Sequence, residues 1–103
     1  MTQVLASLRV NSKDLSAFVE YLNSAMPLIL AAGGQVAKRI DLGEQLIGDG
    51  GSSLVLLVDY PNREAIDAMF SSPEYQKLIP VRDRAFLSYH VSIVETVEVP
   101  EFA

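Results

Sequence analysis

The spacing of apolar residues switches between two periods along the chain, and these switches predict the order of its elements. Apolar residues at every second position in 4–10 predict a first strand. Spacings of three and four in 15–30 then predict an amphipathic helix. Gly33-Gly34 is expected to end this helix, because glycine takes the left-handed cap conformation without strain. Pro27 lies inside the helix and predicts a kink, since proline removes a backbone hydrogen bond.

The second half of the chain shows the same two patterns, separated by turn-forming residues. Alternation in 35–42 predicts a second strand, and 44–47 are a candidate continuation past a bulge at Gly43. Asp49-Gly50-Gly51 predicts a turn between two extended runs. The remaining predicted elements are a strand at 54–60 buried on both faces, a helix capped by Asn62, and a helix that begins at Ser72-Pro73 and is broken by Pro80. One or two further helical turns are expected over 81–86, followed by a last strand at 87–97.

Strand, helix, strand, strand, helix, strand is the order of the ferredoxin-like βαββαβ fold, which belongs to the α+β class. Right-handed crossovers place the first and third strands in the centre of an antiparallel sheet, with the fourth beside the first and the second beside the third. The helices then cover one face. A single domain over 1–103 is expected, with a core at about 2–98 and a short tail at 99–103.

The face of the sheet without helices carries apolar residues at its centre. Strand parity places Leu5, Val55 and Leu57 on that face, where a monomer would expose them to water. A homodimer that pairs two such faces into an α+β barrel would cover them through a two-fold interface. The alternative is a monomer whose tail, with Val99 and Phe102, folds over the sheet.

Composition and charge exclude several classes of function. The chain has no cysteine, and its single histidine and scattered acidic residues give no metal-ligand spacing, so no metal site is expected. A net charge of −5 argues against nucleic acid. The apolar runs are too short for a membrane span, and the first ten residues do not resemble a signal peptide. We therefore expect a cytoplasmic protein that binds neither nucleic acid nor membrane.

Polar residues on the open face are candidates for a ligand site. His90 is the only histidine and the candidate proton-transfer residue, with Ser88 and Ser92 beside it by parity; a purely structural histidine is the alternative. Ser7 and Arg9 share that face, and Arg39 lies on the second strand. Two arginines facing one cavity would suit a carboxylate, because a guanidinium binds planar anions in a bidentate way. Alternatively, Arg39 pairs with Asp59 and Arg9 ends its strand in solvent.

The run Ser72-Pro73-Glu74-Tyr75-Gln76, followed by Pro80 and Arg82, carries a family resemblance. With Gly33-Gly34 and Arg39 upstream, it resembles the domain of unknown function 1330 family, a branch of the dimeric α+β barrels. The resemblance implies two ferredoxin-like sheets face to face, and a small, often aromatic or acidic ligand held between sheet and helices. The absence of tryptophan departs from the quinol monooxygenase and haem-degrading relatives. Tyr75 and Arg82 are each equally compatible with a structural role and with a ligand contact.

Two functions fit these observations. The first is a cofactor-independent enzyme acting on a small organic acid, with His90 moving protons and Arg39 holding the carboxylate. The substrate-binding candidates in this view are Arg39, Arg9, Ser7, Ser92, Tyr75 and Arg82. The second is a non-catalytic dimeric module that binds a small ligand or a partner. An enzyme is expected to place a titratable group beside an enclosed pocket, whereas a module need not.

Overall fold

A computed structural model describes residues 1–95 and 99–100 of the chain. Its elements follow in the order β1 (Thr2–Val10), α1 (Leu15–Ala31), β2 (Gln35–Asp41), β3 (Leu54–Tyr60), α2 (Arg63–Ser71), α3 (Pro73–Gln76), α4 (Ile79–Ala85) and β4 (Phe86–Ile93). The predicted second helical region is therefore three short helices. The strand order along the sheet is β2-β3-β1-β4, and all neighbours are antiparallel. The ferredoxin-like topology predicted from the sequence is confirmed.

The last strand is shorter than predicted. It ends at Ile93, whereas the pattern suggested 97. Residues 96–98, the rest of that prediction, and residues 101–103 of the predicted tail lie outside the described part of the chain.

The first helix is capped at both ends and contains Pro27. The Asp14 carboxylate accepts a hydrogen bond from the Ala17 amide at 3.2 Å, which satisfies one of the unpaired donors of the first turn. The helix continues through Pro27 to Ala31, and the proline is exposed to solvent. Gly33 has a φ of +80°, and its amide bonds the carbonyl of Leu30 at 3.0 Å. The predicted glycine cap is thus confirmed.

The second strand differs from the prediction in its bulge and its length. The register against β3 shifts between Val36 and Lys38, so the bulge lies at Ala37 rather than at Gly43. Residues 44–47 are not a strand. The loop from 42 to 53 instead turns with Gly48 and Gly50 at φ of +88° and +68°. A main-chain hydrogen bond from Leu42 to Ser53, 2.9 Å long, closes it.

The short helices begin as their capping residues predict. The Asn62 side chain accepts from the Ala65 amide at 2.9 Å, and the Ser72 hydroxyl accepts from the Tyr75 amide at 3.2 Å. Pro73 is the first residue of α3. Pro80 lies in the first turn of α4, so it helps to start that helix rather than only ending the one before.

The core lies between the sheet and the helices. On that side, the central strands bury an aliphatic row: Val4, Ala6, Leu8, Leu54 and Val58. On the opposite side, Leu5, Val55 and Leu57 are only half-buried, so one sheet face is open as predicted. None of the helices in the described residues combines the length and apolar character needed to span a bilayer.

Candidate functional site

Three tyrosine hydroxyls meet between the helices and the sheet. The Tyr21 Oη lies 2.8 Å from that of Tyr75 and 2.6 Å from that of Tyr89, and the third side of the triangle, Tyr75 to Tyr89, is 3.4 Å. Tyr21 and Tyr75 are buried, and Tyr89 is partly buried. We call these three residues the tyrosine cluster.

Each member of the tyrosine cluster is positioned by its own element. Tyr21 lies on the buried stripe of α1, with its ring edge-on to Phe86 at 5.3 Å. The Ser72 cap fixes the start of α3 and hence Tyr75. Tyr89 lies opposite Leu8 on the helix side of β4. Edge-to-face packing among these rings fixes the directions in which the hydroxyls point.

Arg82 on α4 lies against the tyrosine cluster. Its Nη1 donates a hydrogen bond to the Tyr75 oxygen at 3.2 Å, and its guanidinium carbon lies 5.1 Å from the centre of the Tyr89 ring. Within the described residues its only acidic partner is the exposed Asp83, at 3.8 Å, which is beyond hydrogen-bond distance. The side chain is 25% exposed. A cation is therefore held in a fixed orientation with part of its surface still accessible.

A cleft of about 300 Å³ gives access to Arg82 and Tyr89. Its apolar walls come from α2 and β4, chiefly Ile66, Phe70 and Val91, and Arg63 lies at the edge, paired with Asp67 at 3.1 Å. A smaller apolar cavity of about 40 Å³ shares Phe70, Tyr89 and Val91 with the cleft and is lined by all three residues of the tyrosine cluster. That inner space suits a water molecule or two, whereas the cleft suits a small organic molecule.

The tyrosines of the core are hydrogen-bond donors rather than bases. Burial is the main cause that raises the pKa of Tyr21 and of Tyr89 well above the ordinary value. Tyr89 and Tyr75 raise the pKa of Tyr21 further, and Tyr75 raises that of Tyr89, although the hydrogen bond from Tyr21 and the charge of Arg82 partly oppose the rise at Tyr89. Burial also raises the pKa of Tyr60 to about 12. The hydroxyls of Tyr21, Tyr60 and Tyr89 are therefore protonated at neutral pH. The site can neutralise an anion with Arg82 and donate to it, but Tyr21 and Tyr89 cannot act there as bases.

The sequence-predicted residues of the open face do lie together. The register of β1 and β4 pairs Ser7 with His90, Leu5 with Ser92 and Arg9 with Ser88. The imidazole of His90 is exposed. Because this face is separated from the tyrosine cluster by the sheet, Ser7, Arg9 and His90 are apart from Tyr75 and Arg82, and the predicted site divides into two groups. Ser92, near the end of β4, also lines the cleft at Arg82. The catalytic role of His90 and the binding roles of Ser7, Arg9 and Ser92 stay predictions.

Arg39 belongs to neither group. It pairs in register with Leu56, so it lies on the helix side of the sheet, away from Arg9. The bulge at Ala37 causes this, because one extra residue reverses the facing of the residues that follow. Its Nε lies 3.0 Å from the Asp41 carboxylate, both side chains being more than half exposed. The alternative partner Asp59 instead accepts from Gln3 at 2.8 Å. Arg39 and Arg9 therefore do not face one cavity in the monomer.

Tyr75 and Arg82, predicted as ambiguous, are in direct contact, while Tyr21 and Tyr89 were not predicted as site residues. The signal for Tyr89 was the alternation of the last strand, which places it on the helix side opposite Leu8. The signal for Tyr21 was a tyrosine on the buried stripe of α1, where a phenol needs a polar partner. In the described chain, no group of three His, Asp or Glu side chains is arranged to hold a metal ion.

The family model for a domain of unknown function, DUF1330, matches residues 4–97. The chain belongs to this family. A comparison with curated proteins gave no match.

Solved structures show the same fold. A protein of unknown function from Rhodopseudomonas palustris is similar with a TM-score of 0.77 and 20% identity, over 95% of this chain and 83% of that one. An uncharacterised NIPSNAP domain protein from Burkholderia xenovorans is similar with a TM-score of 0.61 and 14% identity, over 98% of this chain and 100% of that one. An antibiotic biosynthesis monooxygenase is similar with a TM-score of 0.56 and 18% identity, over 95% of this chain and 100% of that one. At these identities the similarity extends to the fold alone.

Proposed function

We propose that this DUF1330 protein binds a small organic acid in the cleft beside the tyrosine cluster, with Arg82 as the anchor for its carboxylate. The observation that carries this proposal is the guanidinium of Arg82, which is oriented by Tyr75 and Tyr89. Among the described residues its one carboxylate neighbour is the exposed Asp83, which at 3.8 Å is too far for a hydrogen bond. A planar guanidinium binds a carboxylate through two parallel hydrogen bonds. Because its rotamer is already restricted, little entropy is lost on binding.

The hydrogen-bond count in the tyrosine cluster supports an acceptor in the cleft. Arg82 can only donate, so it uses an acceptor position of the Tyr75 oxygen. Each hydroxyl has one proton, and two protons satisfy the contacts of 2.6 and 2.8 Å. The third has only the 3.4 Å contact between Tyr75 and Tyr89, which is weak. When Tyr75 donates to Tyr21 and Tyr21 donates to Tyr89, the free proton is that of Tyr89, and a carboxylate oxygen in the cleft would accept it.

The walls of the cleft indicate what the acid carries. Ile66, Phe70 and Val91 offer apolar surface beside the cation. A flat hydrocarbon group attached to the carboxylate would bury against them, whereas a bare acetate would leave them in water. The proposed ligand is therefore an aromatic or unsaturated monocarboxylate of about the size of benzoate.

Calorimetric titration with benzoate tests this proposal, with acetate as the comparison ligand. Arg82→Lys keeps the charge but loses the planar fork, so its affinity for benzoate should fall about tenfold. Arg39→Lys is the matched control, because Arg39 is also on the helix side of the sheet but lies on β2, the edge strand opposite β4, which carries Tyr89. Benzoate binding should stay unchanged in Arg39→Lys. A loss of benzoate affinity in Arg39→Lys but not in Arg82→Lys would favour instead the carboxylate site at Arg39 that the sequence predicts.

We also propose that the protein is a homodimer formed through its open face. The support is the apolar centre of that face, where Leu5, Val55 and Leu57 remain half-exposed in one chain. Such a dimer would enclose His90 and Ser7 and bring two copies of each together. Catalysis with His90 as the proton-transfer residue, the absence of a cofactor, a single domain over 1–103 and a cytoplasmic location stay predictions from the sequence.

A further inference from the structure

The loop between β2 and β3 folds over the end of β1 and lines a further cavity that is open to solvent on one side. This cavity, about 430 Å³, is lined by Arg9 together with loop residues that include Gln45, Gly50, Gly51, Ser52 and Ser53. It is on the open side of the sheet, because Arg9 pairs in register with Ser88. It is therefore separate from the cleft at Arg82. We call it the Arg9 pocket.

The loop is fixed to β1 at its C-terminal end. The Ser53 amide donates to the Leu8 carbonyl at 2.8 Å, and the Ser53 hydroxyl accepts from the Val10 amide at 3.0 Å. The hydroxyls of Ser7 and Ser52 are hydrogen-bonded to each other. These bonds hold one wall of the Arg9 pocket in place beside the guanidinium.

Arg9 differs from the other arginines in its charge environment. Arg39, Arg63, Arg82 and Arg84 each have a carboxylate within 4 Å, and Arg9 has none among the residues that the structure describes. Glu44 lines the same pocket but lies beyond that distance. A partly buried guanidinium without a counter-charge attracts an anion from solution.

Gly50 allows the loop backbone to approach this cation. Its φ is +68°, and a Cβ at this position would lie 2.8 Å from Nη1 of Arg9. The next amide, of Gly51, has only a contact of 3.5 Å to the Gln45 side chain. Glycine amides without side chains are accessible donors, and together with a guanidinium they form a concave site for an oxyanion.

We infer that the Arg9 pocket binds a small oxyanion, a carboxylate or a phosphate group, between the Arg9 guanidinium and the amides of Gly50 and Gly51. The ligand atoms are acceptors only, which matches donors that lack an acceptor of good geometry within the described chain. This site does not depend on the proposed function at Arg82, which lies on the other side of the sheet.

Amide NMR of the ¹⁵N-labelled full chain tests the inference. Sodium phosphate and sodium acetate are titrated separately at constant ionic strength, and saturable shifts are expected at the Gly50 and Gly51 amides. Arg9→Gln should weaken the binding about tenfold, because a charged hydrogen-bond donor is lost. Arg39→Gln is the matched control and should leave the shifts unchanged, since Arg39 is paired with Asp41.

The outcomes separate this site from the one at Arg82. Saturation by phosphate alone, by acetate alone or by both supports the inference and identifies the group. No saturable shift with either anion, or equal shifts in Arg9→Gln, would overturn it. If Arg9→Gln does not fold, Arg9→Lys takes its place, and its affinity for the anion should fall several-fold. An unchanged affinity in Arg9→Lys would contradict the inference. Benzoate binding at the Arg82 cleft should be retained in either Arg9 variant that folds.

Discussion

Tyr21 is the centre of the tyrosine cluster, because both of its short contacts end on the same hydroxyl. Tyr21→Phe should lower the free energy of unfolding by about 1–3 kcal/mol, since it leaves two buried phenols with poorer partners. Tyr60→Phe is a matched control, because its hydroxyl makes only a 3.6 Å contact to the Met69 sulfur. Urea unfolding of both variants measures the difference. Equal losses would mean that the cluster adds nothing to stability.

The buried phenols also predict how stability depends on alkaline pH. Burial, and then the neighbouring Tyr75, raise the pKa of Tyr60 in the folded chain to about 12, from the ordinary tyrosine value of 10.0. Because the folded pKa is the higher, the unfolded chain loses its proton first. The contribution of Tyr60 to the free energy of unfolding is fully present below pH 10 and is lost between pH 10 and about 12.

Absorbance at 295 nm and circular dichroism, recorded together from pH 8 upward, check this prediction. Tyr21, Tyr60 and Tyr89 should ionise together with the loss of structure, above the ordinary phenol range. Ionisation of these three near pH 10 with the fold intact would contradict it.

At the scale of elements, Pro27 lies inside α1, where a proline lowers the stability of a helix. Pro27 removes one main-chain hydrogen bond, yet its ring is exposed and α1 continues to Ala31. Pro27→Ala should therefore stabilise the protein by about 1–3 kcal/mol, because a bond is regained and little packing is lost. Asn23→Ala, at another exposed position of α1, controls for helix propensity. Its free energy of unfolding should rise by only a few tenths of a kcal/mol.

A loss of stability in Pro27→Ala, measured by urea unfolding beside the control, would give the opposite conclusion. It would show that the proline sets a bend by which the later residues of the helix, such as Ile29, reach the core.

The elements also show how far the sequence could predict the structure. Strand and helix periods predicted the topology because buried rows such as that of β1 fix their own register. In β2 every residue is exposed, so no buried row marks the register, and the bulge at Ala37 could not be located. That one residue changed the face of Arg39. The tyrosine cluster joins positions 54 and 68 residues apart, which no local pattern connects.

At the scale of the whole molecule, the open face predicts association. Leu57→Glu places a charge at the centre of that face and should split the homodimer, because a buried unpaired carboxylate is strongly unfavourable. Leu15→Glu is the control, since Leu15 begins α1 on the helix side and is 56% exposed. Sedimentation at micromolar concentration should show a dimer for wild type and Leu15→Glu. A wild-type species of only 11.3 kDa would refute the dimer.

The two sides of the sheet would then have different tasks. The helix side offers Arg82 and the tyrosine cluster to an organic acid, and the open side offers an apolar centre to a second copy. This division explains why residues that the sequence grouped in one site are separated by the sheet. It also makes ligand binding and association separable, so Arg82→Lys should remain a dimer.

The location of a bound acid tests the central claim most directly. A crystal structure of the wild-type protein with benzoate should show the carboxylate within hydrogen-bond distance of the Arg82 guanidinium and the Tyr89 hydroxyl, with the ring against Phe70 and Val91. Benzoate bound at Arg39 or beside His90, with the cleft at Arg82 empty, would contradict the account.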